Sequence, residues 1–175
     1  MHMAIHIYHP SKSCKGFACS FWYSSQAQSV FATIIRQAGW DTKTQSGTFK
    51  DSLNDATKFV NIKLSEIEVC AILDCIDNNR PLNTFHNVGE APKSISFAPW
   101  IVSTEPNNAN SAKKQIGFSF TVTINPKDAE KKNSFYIGLQ YSEARLVKEF
   151  LTSCLQHHFL AKESVVETSA NNSKA

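Results

Sequence analysis

Apolar and polar residues alternate along several short stretches of this sequence, with the period of two that is typical of half-buried β-strands. The clearest stretch runs from Ile116 to Ile124, where Ile, Phe and Val alternate with Gly, Ser and Thr. Polar segments containing turn-forming residues separate these stretches. The pattern predicts eight strands, over residues 3–9, 16–23, 30–40, 59–64, 82–88, 94–102, 116–124 and 135–141.

Two of these strands run directly into stretches with an apolar period of about 3.6, which is typical of amphipathic helices. The predicted helices cover residues 65–77 and 142 to about 162. Each begins with a Ser-Glu pair, at Ser65 and at Ser142. A serine hydroxyl in this position can cap the backbone N–H groups of the first helical turn.

The two strand-to-helix segments are similar enough to predict an internal duplication. Aligning the Ser-Glu pairs, which lie 77 residues apart, places Val69, Cys70 and Leu73 on Leu146, Val147 and Phe150. The sequence therefore predicts an α+β domain over residues 1–163, made of two β-β-β-β-α repeats (1–80 and 81–163). Each antiparallel sheet is expected to be covered by the C-terminal helix of its repeat.

The segments between these elements are polar. Residues 41–57 surround Gly47 with Ser, Thr, Asn, Asp and Lys and predict a long, mobile hairpin loop. Residues 103–112 predict an Asn-rich loop, and residues 126–133 predict a charged turn. The segment 164–175 is small and polar, so we expect a disordered tail.

The composition is that of a globular protein. The chain has 175 residues, of which 42% are hydrophobic and 19% charged, enough for one sizeable core or two small fused ones. No run of about 18 apolar residues is present to span a bilayer. The five cysteines are an odd number, and Cys19, Cys70 and Cys154 lie in apolar patterns, which favours buried, reduced thiols. These features predict an intracellular protein, in the cytoplasm or nucleoid, without a membrane partner.

The predicted sheets leave their outer faces open, because each helix covers one face only. These faces carry Trp22, Asn61, Lys63, Ser119, Thr121, Thr123, Tyr136 and Gln140. Aromatic rings interleaved with lysines and hydroxyls suit single-stranded nucleic acid, whose bases stack on rings while its backbone follows positive charge. The alternative is that Trp22, Trp40 and Tyr136 only seal the rim of a core.

The candidate binding residues are the aromatic side chains on or near these faces and the basic side chains that border them. They are Lys12, Lys15, Trp22, Arg36, Trp40, Lys43, Lys58, Lys63, Lys113, Lys114 and Tyr136. The net charge of +3 permits a polyanionic partner but does not require one.

The duplicated β-β-β-β-α pattern resembles the Whirly family of single-stranded-DNA-binding proteins and the related transcriptional-coactivator fold. Whirly proteins carry a KGKAAL motif on the second strand, and residues 15–20 read KGFACS at the equivalent place. Lys15, Gly16 and Ala18 match, whereas Phe17 replaces the second lysine. The resemblance implies a homo-oligomeric binder of single-stranded DNA, with little base preference, that acts in replication, recombination or transcription.

Features of an enzyme are missing from the sequence. It has no P-loop, no GxSxG and no Gly-rich dinucleotide turn. The five residues His2, His6, His9, Cys14 and Cys19 lack the spacing of a metal site. We therefore predict no catalysis, no cofactor and no metal.

Two alternatives remain open for the partner. Single-stranded RNA could stack on the same rings, since no sequence feature reads a 2′-hydroxyl. The chain could also be a non-catalytic protein-interaction module that has kept the fold and lost the ligand.

Overall fold

A computed structural model of the chain describes residues 2–87, 91–104, 112–125 and 132–172. Over these residues it has ten strands, two α-helices and one short 3-10 helix, Lys50–Asn54. The strands are β1 (His2–His9), β2 (Phe17–Ser24), β3 (Ser29–Arg36), β4 (Gly39–Asp41), β5 (Ser46–Thr48), β6 (Phe59–Leu64), β7 (Leu82–His86), β8 (Lys93–Ser103), β9 (Lys113–Ile124) and β10 (Asn133–Gln140). The helices are α1 (Glu66–Asn78) and α2 (Tyr141–Asn172).

Eight strands form two four-stranded antiparallel sheets. Sheet 1 has the order β1-β2-β3-β6, and sheet 2 has the order β10-β9-β8-β7. The remaining strands, β4 and β5, pair with each other as a hairpin. The predicted α+β architecture of two four-stranded sheets and two helices is confirmed.

The inner faces of both sheets and the two helices share one hydrophobic core. The ring of Phe21 on β2 stacks on that of Phe120 on β9, with centroids 5.6 Å apart, and β10 packs against β2 and β3. Helix α1 follows sheet 1 but also contacts β7 and β8, while α2 contacts β1 and β3 as well as β9 and β10. The sheets therefore touch directly, and each helix covers parts of both.

The start of α1 is a complete capping box. The Ser65 hydroxyl accepts from Glu68 N at 3.3 Å, and Glu68 Oε2 accepts from Ser65 N at 2.8 Å. In the second repeat Gln140 N donates to Glu143 Oε2 at 2.8 Å, and α2 begins at Tyr141. The predicted cap at Ser142 is therefore wrong, because this serine lies inside the first turn.

The correct offset between the repeats is 75 residues, not 77, because it superimposes Glu68 on Glu143. It also pairs Val69 with Ala144, both 1% exposed. The predicted alignment matches Val69 to Leu146, which is 47% exposed. The predicted alignment relied on the two Ser-Glu pairs, but a serine caps only the first of the two helices.

The burial of the cysteine thiols also differs from the prediction. Cys70, predicted to lie on a buried stripe, is exposed, whereas Cys75 and Cys154 are buried. All five cysteines are free. Burial raises the pKa of Cys154 to about 11, so its thiol stays protonated and unreactive at neutral pH.

Two His-Glu pairs hold the repeats together in a reciprocal clasp. His9, the last residue of β1, has its Nε2 2.7 Å from Glu143 Oε1 at the start of α2. His86, the last residue of β7, has its Nε2 2.6 Å from Glu68 Oε1 at the start of α1. Each carboxylate therefore caps its own helix with one oxygen and contacts the other repeat with the second.

The predicted strand over residues 30–40 is interrupted. β3 ends at Arg36, and the buried side chain of Gln37 accepts from Ser11 N and donates to Gly39 O, both at 2.7 Å. The chain then forms the β4–β5 hairpin and the 3-10 helix. Residues 41–57 are thus more regular than the predicted loop. The hydrogen bonds of the Gln37 side chain connect the start of this region to the β1–β2 turn.

The other differences lie near the ends of elements. Helix α2 continues to Asn172, beyond the predicted end near residue 162, so residues 164–172 are helical where a disordered tail is predicted. Most of the predicted loop 103–112 and of the turn 126–133 lies outside the described residues. Among the described helices, none is long and apolar enough to cross a membrane.

Candidate nucleic-acid interface

The outer face of sheet 1 carries a stacked pair of aromatic rings. Trp22 lies opposite Phe31, and Phe31 lies opposite Lys63 on the edge strand β6. The two rings have centroids 4.3 Å apart and planes 11° from parallel. Thr33 Oγ1 accepts from Trp22 Nε1 at 3.3 Å, which fixes the indole orientation. This row therefore places an aromatic platform beside a positive charge.

A groove of about 510 Å³ lies further along the same face. It exists because the β4–β5 hairpin and the 3-10 helix fold against the sheet, bringing Phe49 to within 5.7 Å of Tyr8, centroid to centroid. Tyr8 is 57% exposed, and Lys50 stands in the groove wall. The polar atoms His6 Nδ1 and Ser20 Oγ, 2.7 Å apart, complete this surface.

The outer face of sheet 2 has a second aromatic pair. The Trp100 ring on β8 covers Gly138 on β10, where a β-carbon would lie 2.3 Å from a ring atom. Trp100 meets Tyr136 edge to face, with centroids 6.2 Å apart. Burial raises the pKa of Tyr136, so its hydroxyl remains a hydrogen-bond donor at neutral pH. The absence of a side chain at Gly138 therefore allows the indole to pack against β10.

Next to this pair is a shallow depression of about 450 Å³ with mainly hydroxyl-bearing walls. Phe85 on the edge strand β7 is 54% exposed and forms its apolar side. The hydroxyl and amide side chains that line it are Asn83, Thr84, Ser94, Ser96, Thr121 and Thr123. Sheet 2 thus adds a row of hydrogen-bonding groups beside its aromatic pair.

The predicted lysines are all exposed, but they border different parts of the molecule. Lys12 and Lys15 lie in the β1–β2 turn, and Lys43 lies between β4 and β5. Lys113 and Lys114 begin β9 on sheet 2. Lys63 stands beside the stacked pair, and Lys58 precedes the same strand, with Nζ 3.7 Å from Asp55 Oδ2. The structure thus brings Lys63 together with Trp22 and separates the other lysines.

Arg36 and Trp40, two predicted binding residues at the borders of the faces, lie outside the Trp22–Phe31 row. The Arg36 guanidinium donates to Asn133 Oδ1 and Ser134 O, both at 2.8 Å, and lies over the Phe135 ring at 5.0 Å. These contacts join sheet 1 to sheet 2. Trp40 is half-buried in the β4–β5 hairpin, opposite Gly47.

The described part of these faces brings together no cluster of metal-ligating side chains. Within the described ranges, no three His, Cys, Asp or Glu side chains are placed to hold a metal ion. The outer faces combine rings, hydroxyls, amides and ammonium groups, which bind through stacking, hydrogen bonds and charge.

Comparison of the sequence with protein-family models and with curated proteins gives no match. The structure, in contrast, is similar to solved structures along nearly its whole length. WHY3 from Arabidopsis thaliana is 14% identical, with a TM-score of 0.62 and coverage of 96% of both chains. The chain has the Whirly fold.

Two further structures support this assignment. The plant transcriptional regulator PBF-2 is 13% identical, with a TM-score of 0.61 over 96% of this chain and 87% of that chain. A guide-RNA-binding protein complex bound to a guide RNA is 14% identical, with a TM-score of 0.59 over 91% and 93%. The predicted resemblance in topology is therefore confirmed for the Whirly fold as a whole.

In this chain, the KGFACS segment covers the end of the turn before β2 and the first residues of β2. Gly16 packs so tightly that a β-carbon would lie 2.4 Å from both Gln37 Oε1 and His9 O. Ala18 is buried and lines the groove on sheet 1. Two residues of the segment, Ala18 and Ser20, thus line the groove, while Lys15 is exposed in the turn before β2.

Proposed function

We propose that this protein binds single-stranded DNA, largely without sequence preference, as a non-catalytic homo-oligomer acting in replication, recombination or transcription. The observation that carries the proposal is the Trp22–Phe31 stack beside Lys63 on an open sheet face. A single strand exposes its bases to such rings, whereas a duplex hides them. The Trp100–Tyr136 pair offers a second platform on sheet 2.

Salt dependence tests the proposal. We expect a fluorescently labelled strand of about 30 bases to bind at low salt and to weaken about 100-fold between about 50 and 200 mM salt. This slope corresponds to about five neutralised phosphates on a single strand. Affinity that stays constant across this range would contradict phosphate contacts and favour an apolar protein interface.

Single-stranded RNA is the second candidate, because one structure with the same fold is a complex with a guide RNA. Rings on an open sheet stack on bases of either nucleic acid. An RNA strand of the same sequence, titrated in parallel, separates the two candidates. Tighter binding of the RNA would replace DNA as the proposed partner.

Self-association is supported by apolar side chains left exposed on both helices. Ile67 on α1 is 81% exposed, and Leu146, Phe159 and Leu160 on α2 are 47%, 52% and 64% exposed. Side chains of this kind are buried when helices of two copies pack together. The outer sheet faces remain open in such an assembly.

A further inference from the structure

The groove on sheet 1 and the stacked ring pair belong to one continuous surface. Strand register divides the outer face of this sheet into three successive rows: the first holds the stacked rings, the second is polar, and the third is the floor of the groove. From β1 to β3, the rows are Ala4-Trp22-Phe31, His6-Ser20-Thr33 and Tyr8-Ala18-Ile35. The first and third rows are four residues apart along each strand, which is about 13 Å. The stack and the groove are therefore too far apart to hold the same base.

The groove combines a floor of small side chains with larger apolar walls. Ala18 and Ser20 line it from β2, Tyr8 lines it from β1, and Phe49 and Leu53 line it from the segment of the 3-10 helix. Tyr8 is 57% exposed and Leu53 is 50% exposed. Its volume of about 510 Å³ lies in the range of small-molecule sites. Exposed apolar side chains around a groove of this size indicate a place for a flat ring.

The contacts at the base of the β4–β5 hairpin fix this groove in place. The Gln37 side chain accepts from Ser11 N and donates to Gly39 O, both at 2.7 Å. Gly47 packs so closely on the β1–β2 turn that a β-carbon would lie 2.6 Å from Pro10 Cβ. The groove is therefore formed before a ligand arrives, which lowers the cost of binding.

The charges of the groove favour a nucleotide as its occupant. Among the described residues that line it, none is acidic, and Lys50 supplies a positive charge that suits a phosphate. The polar groups His6 Nδ1 and Ser20 Oγ lie 2.7 Å apart and hydrogen-bond to each other. The groove thus offers rings, aliphatic groups and a cation, and few free groups that could distinguish one base from another.

We propose that this groove receives one base of the bound single strand, which stacks on the Tyr8 ring while Lys50 contacts an adjoining phosphate. Any base can occupy it, because every base has a π-face, so the site agrees with binding that is largely independent of sequence. The inference rests on the proposed function for its ligand. It adds the β4–β5 hairpin and the 3-10 helix to the interface.

Two substitutions test the two contacts separately. Tyr8→Ala should weaken the binding of an oligothymidine strand about tenfold, the usual loss for one stacking ring. Lys50→Ala should reduce the slope of log affinity against log salt by about 0.7, the value for one phosphate contact on a single strand. The control Tyr141→Ala removes a ring of similar exposure, 55%, on the helix side of sheet 2 and should change neither quantity.

Photocrosslinking locates the base directly. An oligothymidine strand in which 5-iodouracil replaces some of the thymines is bound to the wild-type chain and irradiated, and the modified residues are identified by mass spectrometry. We expect crosslinks at Tyr8 or Phe49 in addition to the Trp22–Phe31 row. Crosslinks confined to the Trp22–Phe31 row would overturn the groove site and leave the proposed function standing. A strand that does not bind even at low salt would instead overturn the proposed function, and the groove site with it.

Discussion

Replacing Trp22 and Trp100 together by alanine is expected to weaken the binding of single-stranded DNA about 100-fold. Alanine substitution of a ring that stacks on a base typically costs about 1–3 kcal/mol, and each sheet loses one such ring. The backbone should keep its place, because both side chains lie on outer faces and the inner core is untouched. Fluorescence anisotropy at constant salt measures the loss.

A matched control is Tyr141→Ala, which removes a ring that is 55% exposed and contacts Phe118 on the helix side of sheet 2. This variant should bind strands as the wild-type chain does. Thermal unfolding of all variants separates lost binding from lost structure. A folded Trp22/Trp100 double variant with unchanged affinity would remove both rings from the interface.

Glu68→Gln is expected to lower the free energy of unfolding at pH 7 by about 2 kcal/mol, because hydrogen bonds to a charged group contribute about 1.5–3 kcal/mol. Burial works to raise the pKa of Glu68, but hydrogen bonds from Ser65 and His86 outweigh it and hold the pKa below its ordinary value. For a chain of this length the loss corresponds to about 4–8 °C in Tm.

The lowered pKa of Glu68 also determines the pH range in which this side chain stabilises the fold. The unfolded chain binds this proton more readily, so the contribution is fully present above the ordinary value of 4.5 and is lost as pH falls through the lower folded value. The free energy of unfolding, measured with urea, should therefore fall less between about pH 6 and pH 3 for Glu68→Gln than for wild type. Glu149→Gln, on an exposed pair, should change little. An equal fall for Glu68→Gln and wild type would show that the ionised Glu68 carboxylate of the clasp does not stabilise the fold.

The strands and helices were predictable because one side of each faces a core. Ile116 to Ile124 alternates cleanly, and the structure places Phe118, Phe120 and Val122 inside. The offset between the repeats was not predictable from the Ser-Glu pairs, because Ser142 resembles the Ser65 cap and yet lies inside its helix. The signal that identifies the true offset is the glutamate three residues after each N-cap position, Glu68 after Ser65 and Glu143 after Gln140.

The candidate site was predictable in part. Alternation places Trp22 and Tyr136 on outer faces, and the structure agrees. Phe31 was missed because its strand is apolar on both faces. Trp100 was missed although it continues the alternation of Ser94, Ser96 and Ala98, and the space that Gly138 leaves for its ring depends on a strand far along the chain.

The contacts of Arg36 illustrate that the sequence gives the charge of a side chain but not its partners in the folded chain. Its position at the end of a strand predicts a cation at the border of an open face, and the sequence does not show that the guanidinium also joins the two sheets through Asn133 and Ser134. Which lysines share a face with the rings is likewise a property of the tertiary structure. Among the lysines of the described strands, only Lys63 is aligned with the stacked pair by strand register.

The central claim is that open aromatic faces bind unpaired bases, and one competition titration tests it most directly. A labelled single strand of about 30 bases, bound at low salt, is displaced with the same unlabelled strand or with its duplex. We predict that the single strand competes at least about tenfold better than the duplex, because only unpaired bases stack on the rings. Equal competition by the duplex would show that binding depends on phosphates alone and would contradict the account.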